Sequence, residues 1–215
     1  MAFSISLEQE LARWNEVIRN YPNDPKAYIR RGMVNFKLAN VSESIQDFDQ
    51  AEKLDPTVSP YLWQRGLSYY YAERFEEGAA QFELDLNVNA QDVEETIWRY
   101  LCIAQLKGTV EARQVLLAVK NDPRPIMNSV YDLYAGNCTP EDVLATGKKY
   151  GRHGRFYSHL YIGLYYEAAK DLEQSPESSS TLRSRFYILK AANEYKLDDY
   201  MWYLACVHKN LRGWH

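Results

Sequence analysis

The chain has 215 residues, 46% of them hydrophobic and 25% charged, with 25 Lys and Arg against 29 Asp and Glu and a formal net charge of −4. That balance argues against a disordered chain, offers no long-range field to draw in a phosphate backbone, and contains no run of the ~18 apolar residues a membrane span requires. Cys102, Cys138 and Cys206 are an odd number at irregular spacing, which speaks against a disulfide framework or a two-pair zinc site and for a reducing compartment.

From the start, Met1-Ala2-Phe3-Ser4-Ile5-Ser6 carries no basic stretch followed by an apolar run. A cytoplasmic protein is therefore expected, or an organellar one after removal of a targeting segment. Residues 7–22 then read as one helix with Trp14 as its large apolar residue. From there a period of 34 organises the chain. It relates Arg31 to Arg65, Gly32 to Gly66, Pro22 to Pro56 and Phe48 to Phe82, and it runs parallel to a small-residue series of Ser44, Gly78 and Ala112. The period predicts helical hairpins over 25–58, 59–92 and 93–126. In each first helix the glycine costs roughly 1 kcal/mol of helix propensity relative to alanine, so a close approach of the opposite helix backbone must compensate. Phe48 and Phe82 fill the space between helices in the second half of each unit. In the third unit Tyr100 stands in the glycine position, while Trp98, Ala104, Ala112 and Leu116 keep the hydrophobic pattern.

Asn23-Asp24-Pro25, Asp55-Pro56 and Asp122-Pro123-Arg124-Pro125 mark the unit boundaries. Ser42 is the expected N-cap of the helix that follows Asn40-Val41. Residues 126–155 break the period as an irregular helical link, with a helix over 126–135 and a new helix started by Thr139, Pro140 and Asp142. A further degenerate unit follows over 156–195, centred on Gly163, with a polar insertion at Glu173 to Ser180 read as a mobile hairpin loop. The apolar-rich segment 199–211 is expected to cap the last hairpin.

The 34-residue unit, with a bulky residue ahead of Gly32 or Gly66, the later Phe48 or Phe82 and the closing Pro56, resembles the tetratricopeptide repeat. The resemblance implies an all-α superhelix of antiparallel hairpins over 1–215. The order of parts is also similar to the bacterial lipoprotein adaptor of the new-lipoprotein-I type, whose members are implied to be dimeric scaffolds gathering proteases and cell-wall hydrolases. This chain departs from them in having no signal peptide and no lipid-bearing cysteine near its start.

In tetratricopeptide arrays the first helices line the concave face. Carried over residue by residue, the contact candidates are Lys26, Ile29, Met33, Phe36 and Lys37, then Trp63, Leu67, Tyr70 and Tyr71, then Glu94, Ile97, Leu101 and Gln105. The family's carboxylate clamps hold acidic chaperone tails with Lys and Asn, but Ile29 and Met33 stand where those side chains are needed. The reading is an adaptor that takes a partner's peptide or helix in an apolar groove. Two alternatives remain. In one, the groove is closed by a terminal helix. In the other it is closed by a second copy, which makes a homodimer or larger self-assembly.

No catalytic, metal or cofactor site is expected. His153, His159, His208 and His215 have no metal-ligand spacing, no pair of carboxylates stands out, and Cys206 and His208 lie on different helix faces. Cys138 is weighed as a thiol activated by the helix start that follows it. The run Gly147 to Arg155 reads as a solvated basic connection without the phosphate-loop pattern.

Overall fold

The computed structural model describes residues 6–119, 122–169 and 179–215. Among them there is no strand, and consecutive helices pack as antiparallel neighbours into a solenoid of the tetratricopeptide kind. The lone N-terminal helix α1 is Leu7–Asn20, capped by Ser6 and Gln9 in a reciprocal box. The first unit is α2, Pro25–Lys37, with α3, Val41–Leu54. The second is α4, Trp63–Tyr71, with α5, Phe75–Leu86, and the third is α6, Val93–Lys107, with a short α7, Thr109–Gln114. Helices α8, Pro125–Ala135, and α9, Pro140–Lys149, lead to α10, Gly151–Ala168, and α11, Ser179–Glu194. The last helix, α12, is Tyr200–Leu211.

The cost of the helical glycines is answered by packing. A Cβ built on Gly66 would lie 2.6 Å from the Phe82 ring, and one on Gly163 would lie 2.7 Å from Ile188. The opposing group at Gly66 is thus an aromatic side chain, where backbone was expected; at Gly32 the Ser44 carbonyl, 3.2 Å away, does fit that expectation. The small-residue series meets the same contact from the other side. Ser44 Oγ donates to the Gly32 carbonyl at 2.8 Å, and Gly78 lies against the Gly66 carbonyl.

A second periodic device, not recognised from the sequence, is polar. Arg31 donates to Asn15 and Asp47, Arg65 to Asp49 and Gln81, and Arg99 to Glu83 and the Val115 carbonyl. Each partner lies 16 residues before or after its arginine, so one guanidinium per unit ties three successive helical layers. Planar guanidinium groups with several donors suit this bridging role.

Several local expectations are corrected. Ser42 is not an N-cap: Ala39 turns the chain in the left-handed region (φ 63°), so α3 already begins at Val41 after Asn40. A 3₁₀ helix over Pro56–Tyr61, with Pro60 inside it, delays the first helix of the second unit to Trp63. In the third unit the Tyr100 ring fills the glycine position, its hydroxyl reaching the Thr109 carbonyl at 3.4 Å, and α7 stops after six residues with Leu116 beyond it. The run 147–155 is not an open loop. Only Tyr150 separates α9 from α10, which starts at Gly151 (φ 62°), and Gly147 and Gly154 are buried where the two helices cross so closely that a Cβ on Gly154 would lie 2.5 Å from the Gly147 carbonyl. The polar insertion lies outside the described residues except for Ser179 and Ser180, which already belong to α11.

Phe82→Ala is expected to cost about 3–5 kcal/mol, the usual range for emptying a buried phenyl site. Gly66→Ala is expected to cost about 1–3 kcal/mol by overpacking, in spite of alanine's better helix propensity. Urea denaturation measures both. A Gly66→Ala protein more stable than the parent would show that the glycine is not held by the Phe82 contact.

Candidate functional site

Most of the first-helix residues read as contact candidates are not on an open surface. Phe36, Leu67, Tyr70, Ile97 and Leu101 are buried, while Ile29, Met33, Lys37, Trp63 and Tyr71 are only partly exposed. The covering element is α12. Tyr200 stacks on Phe36 with ring centroids 5.5 Å apart and meets Trp63 edge-on at the same distance. Met201, Leu204, Ala205 and Val207 are buried along the same helix. Lys37 lies over the Tyr203 ring at 4.8 Å. Over Phe36, Lys37, Trp63 and Tyr71, the surface read from the sequence as a seat for a partner is occupied by the chain's own last helix, which packs on α11 and returns to α2.

A buried polar cluster pins the far end of α12. The Tyr71 hydroxyl and His208 Nδ1 are 2.9 Å apart, and Arg212 Nε donates to Glu167 Oε1 at 2.7 Å. The Tyr70 hydroxyl donates to Glu167 Oε2 at 3.3 Å, and His208 Nε2 lies 3.6 Å from Glu167 Oε1. Glu167 is only 4% exposed and His208 is fully buried. Removing one member of such a charged, buried set leaves another uncompensated, typically a loss of ~3–5 kcal/mol. Sequence spacing placed His208 and Glu167 in no site because they meet across 41 residues of chain, with α11 between them.

Beside this seat lies a cavity of about 280 Å³ with Trp63, Phe82, Trp98 and Met201 as apolar walls and Asp92, Glu94, Glu95 and Arg124 as polar ones. An adjoining hollow shares Trp63, Asn89 and Glu95 with it and has Asp85 in its lining. Arg124 is taken up by Asp92, Glu94 and Asp122, and the Tyr161 hydroxyl donates to Glu94 Oε1 at 2.7 Å. Asp85 and Glu95 have no such cation. Burial pushes Asp85 up to about 7, against the pull of Gln81 and Arg65. Burial, then the charges of Asp92, Asp85 and Glu94, push Glu95 up to about 8. These carboxylates escaped sequence reading because Asp85 ends one helix and Glu95 begins the next, ten residues apart with no helical register between them.

The chemical candidates do not assemble into a reaction centre. Burial and the neighbouring Asp132 and Asp142 raise the Cys138 thiol to about 11, the opposite of the activation expected from a helix start. Its Sγ faces the Ser129 carbonyl at 3.6 Å. His153 packs on Tyr157, His159 bonds the Arg155 carbonyl, and no group of three metal-ligating side chains converges among the described residues.

No family model matches the chain. It is 25% identical over 100 residues, 46% of its length, to the Hsp70-Hsp90 organizing protein of Triticum aestivum, of which the match covers 17%. It is 36% identical over 64 residues, 30% of its length, to the DnaJ homolog subfamily C member 7 of Mus musculus, of which the match covers 13%. The chain thus spans less than a fifth of either relative. No helix among the described residues is long and apolar enough to cross a membrane.

Two outcomes follow from this geometry. Trp63→Ala combined with Tyr71→Ala is expected to lower the melting temperature strongly, because both rings support α12 and the core beneath it; an unchanged melting curve would place them at a free surface. The second outcome concerns pH. Asp85 and Glu95 keep protons in the folded state that the unfolded chain releases near pH 4, so the folded state binds more protons between those values. Stability is therefore expected to fall as pH rises from about 5 to about 8, with a shallower slope in Asp85→Asn with Glu95→Gln. A thermal melt series in both proteins reads this directly, and equal slopes would contradict the assignment.

Proposed function

We propose that the protein is a protein-interaction adaptor whose concave face receives an amphipathic helix, and that α12 holds this face until a partner's segment exchanges with it. The observation carrying this reading is the seat itself: Tyr200 between Phe36 and Trp63, with His208 against Tyr71 two turns further on. A groove lined by the first helices of tetratricopeptide-like units and already filled by a helix has the shape and apolar character of helix-in-groove recognition. Ile29 and Met33 favour an apolar ligand over an acidic tail. The relatives support a role among protein partners, since one is by name an organizer of Hsp70 and Hsp90. In this reading the chain catalyses nothing, and its three free cysteines fit a reducing, cytoplasmic setting.

The population of the open groove sets the apparent affinity, because a ligand that binds only the open state is weakened by the fraction that is closed. Tyr200→Ala with His208→Ala loosens α12 without touching the groove wall. A labelled peptide of residues 199–215 is expected to bind this variant at least about tenfold more tightly than the parent, a shift of some 1.4 kcal/mol. Fluorescence anisotropy measures the affinities, circular dichroism checks that the variant stays helical, and light scattering tells peptide binding from an exchange of α12 between two copies. A folded variant that binds the peptide no better than the parent would remove the groove as a seat for partners.

A further inference from the structure

The far end of the α12 seat holds a carboxylate that apolar packing does not call for. Glu167 lies in the last turn of α10 at 4% exposure, and its two oxygens are engaged from different elements. Oε2 accepts from the Tyr70 hydroxyl of α4 at 3.3 Å. Oε1 accepts from Arg212 Nε at 2.7 Å and lies 3.6 Å from His208 Nε2. The tyrosine belongs to the wall of the seat and stays when α12 leaves. The histidine belongs to α12 and the arginine closes it, so both go with that helix.

The charge at this point is real and needs an answer. Burial pulls the Arg212 guanidinium down, but the charge of Glu167 and its hydrogen bond outweigh this and hold it above its ordinary value. Burial, and then the charge of Glu167, raise Tyr70 and Tyr71 well above the ordinary phenol value, so both keep their protons. A neutral hydroxyl leaves a carboxylate's charge uncompensated, and a buried carboxylate stripped of its cation is strongly destabilising. A helix that displaces α12 therefore has to bring a cation to the same place.

We infer that the helix exchanging with α12 is a basic amphipathic one, with an aromatic residue for the end between Phe36 and Trp63 and an arginine twelve residues later for Glu167. This rests on the exchange of α12 for a partner's helix and names what that helix carries. The seat sets the spacing: Tyr200 and Arg212 are twelve residues apart, about 18 Å along a helix, with Met201, Leu204 and Ala205 buried between them. A guanidinium suits the far end because it stays charged when partly buried and presents several donors in one plane. A helix with an acidic residue there sets two carboxylates together, so Glu167 selects by repulsion as well as attraction.

Fluorescence anisotropy on the full-length Tyr200→Ala/His208→Ala protein tests this with four labelled peptides of residues 199–215: the natural one, Arg212→Gln, Arg212→Glu and Lys209→Gln. The last removes the same formal charge as Arg212→Gln, from a side chain that bonds the exposed Asn193. Arg212→Gln is expected to weaken binding at least about tenfold, Arg212→Glu at least about threefold more, and Lys209→Gln less than about threefold. With Glu167→Gln added to the protein, the natural and Arg212→Gln peptides are expected to bind within about threefold of each other. An Arg212→Gln peptide as tight as the natural one, an equal loss in Lys209→Gln, or a difference that survives Glu167→Gln overturns the inference while the exchange stands. Should Glu167→Gln fail to fold, the order at position 212 decides, and an Arg212→Glu peptide no weaker than Arg212→Gln overturns it. A natural peptide that does not bind sinks the exchange and the inference together.

Discussion

The close approach of a bulky side chain to a helical glycine sets the geometry on which everything else in this chain rests. Phe82 lies where any side chain on Gly66 would stand, and Ile188 does the same at Gly163. Cores packed to crystal-like density respond to a single methyl group, so these contacts define the spacing of each hairpin. Where the glycine gives way to Tyr100, the second helix shortens to six residues and the ring turns to Tyr134 on α8, centroids 5.1 Å apart. The regular array ends there, and α8 to α11 continue the stack by other means, including the glycine crossing of α9 on α10.

The concave face produced by this stacking is strongly aromatic, and a chain exposing it would carry a large apolar patch. Such patches on a folded protein are covered or bind something. Here α12 covers it through two kinds of contact. At its start the contact is aromatic, Tyr200 against Phe36 and Trp63; at its end it is polar and buried, His208 and Arg212 with Glu167 and the two tyrosines. The apolar half is held by shape and burial, whereas the charged half is held by hydrogen bonds and ion pairs among buried groups.

The carboxylates near the α5–α6 connection are buried at a cost. Asp85 and Glu95 are held close to other acids and away from water, and neither has the cation that Arg124 supplies to Asp92, Glu94 and Asp122. Met201 of α12 forms part of the same cavity wall. Groove and cavity are therefore neighbours that share Trp63 and Met201.

The period of 34, the glycine and aromatic positions and the turn residues made the hairpins readable from the sequence alone, because each unit is a local structure whose signals lie within a few turns of one another. The small-residue series and the capping of α9 by Thr139 and Asp142 were legible for the same reason. The apolar positions of the first helices were legible too, since helical register assigns faces. Whether they meet water was not. Tyr200 and Phe36 are 164 residues apart, and nothing in either helix encodes their meeting; it follows from the accumulated turn of the whole stack, which returns α12 to α2. The same holds for Glu167 with Tyr70, 97 residues apart. Sequence determined which surfaces had to be buried, and tertiary structure decided what buries them, because long-range packing depends on the sum of many small rotations that no single segment contains.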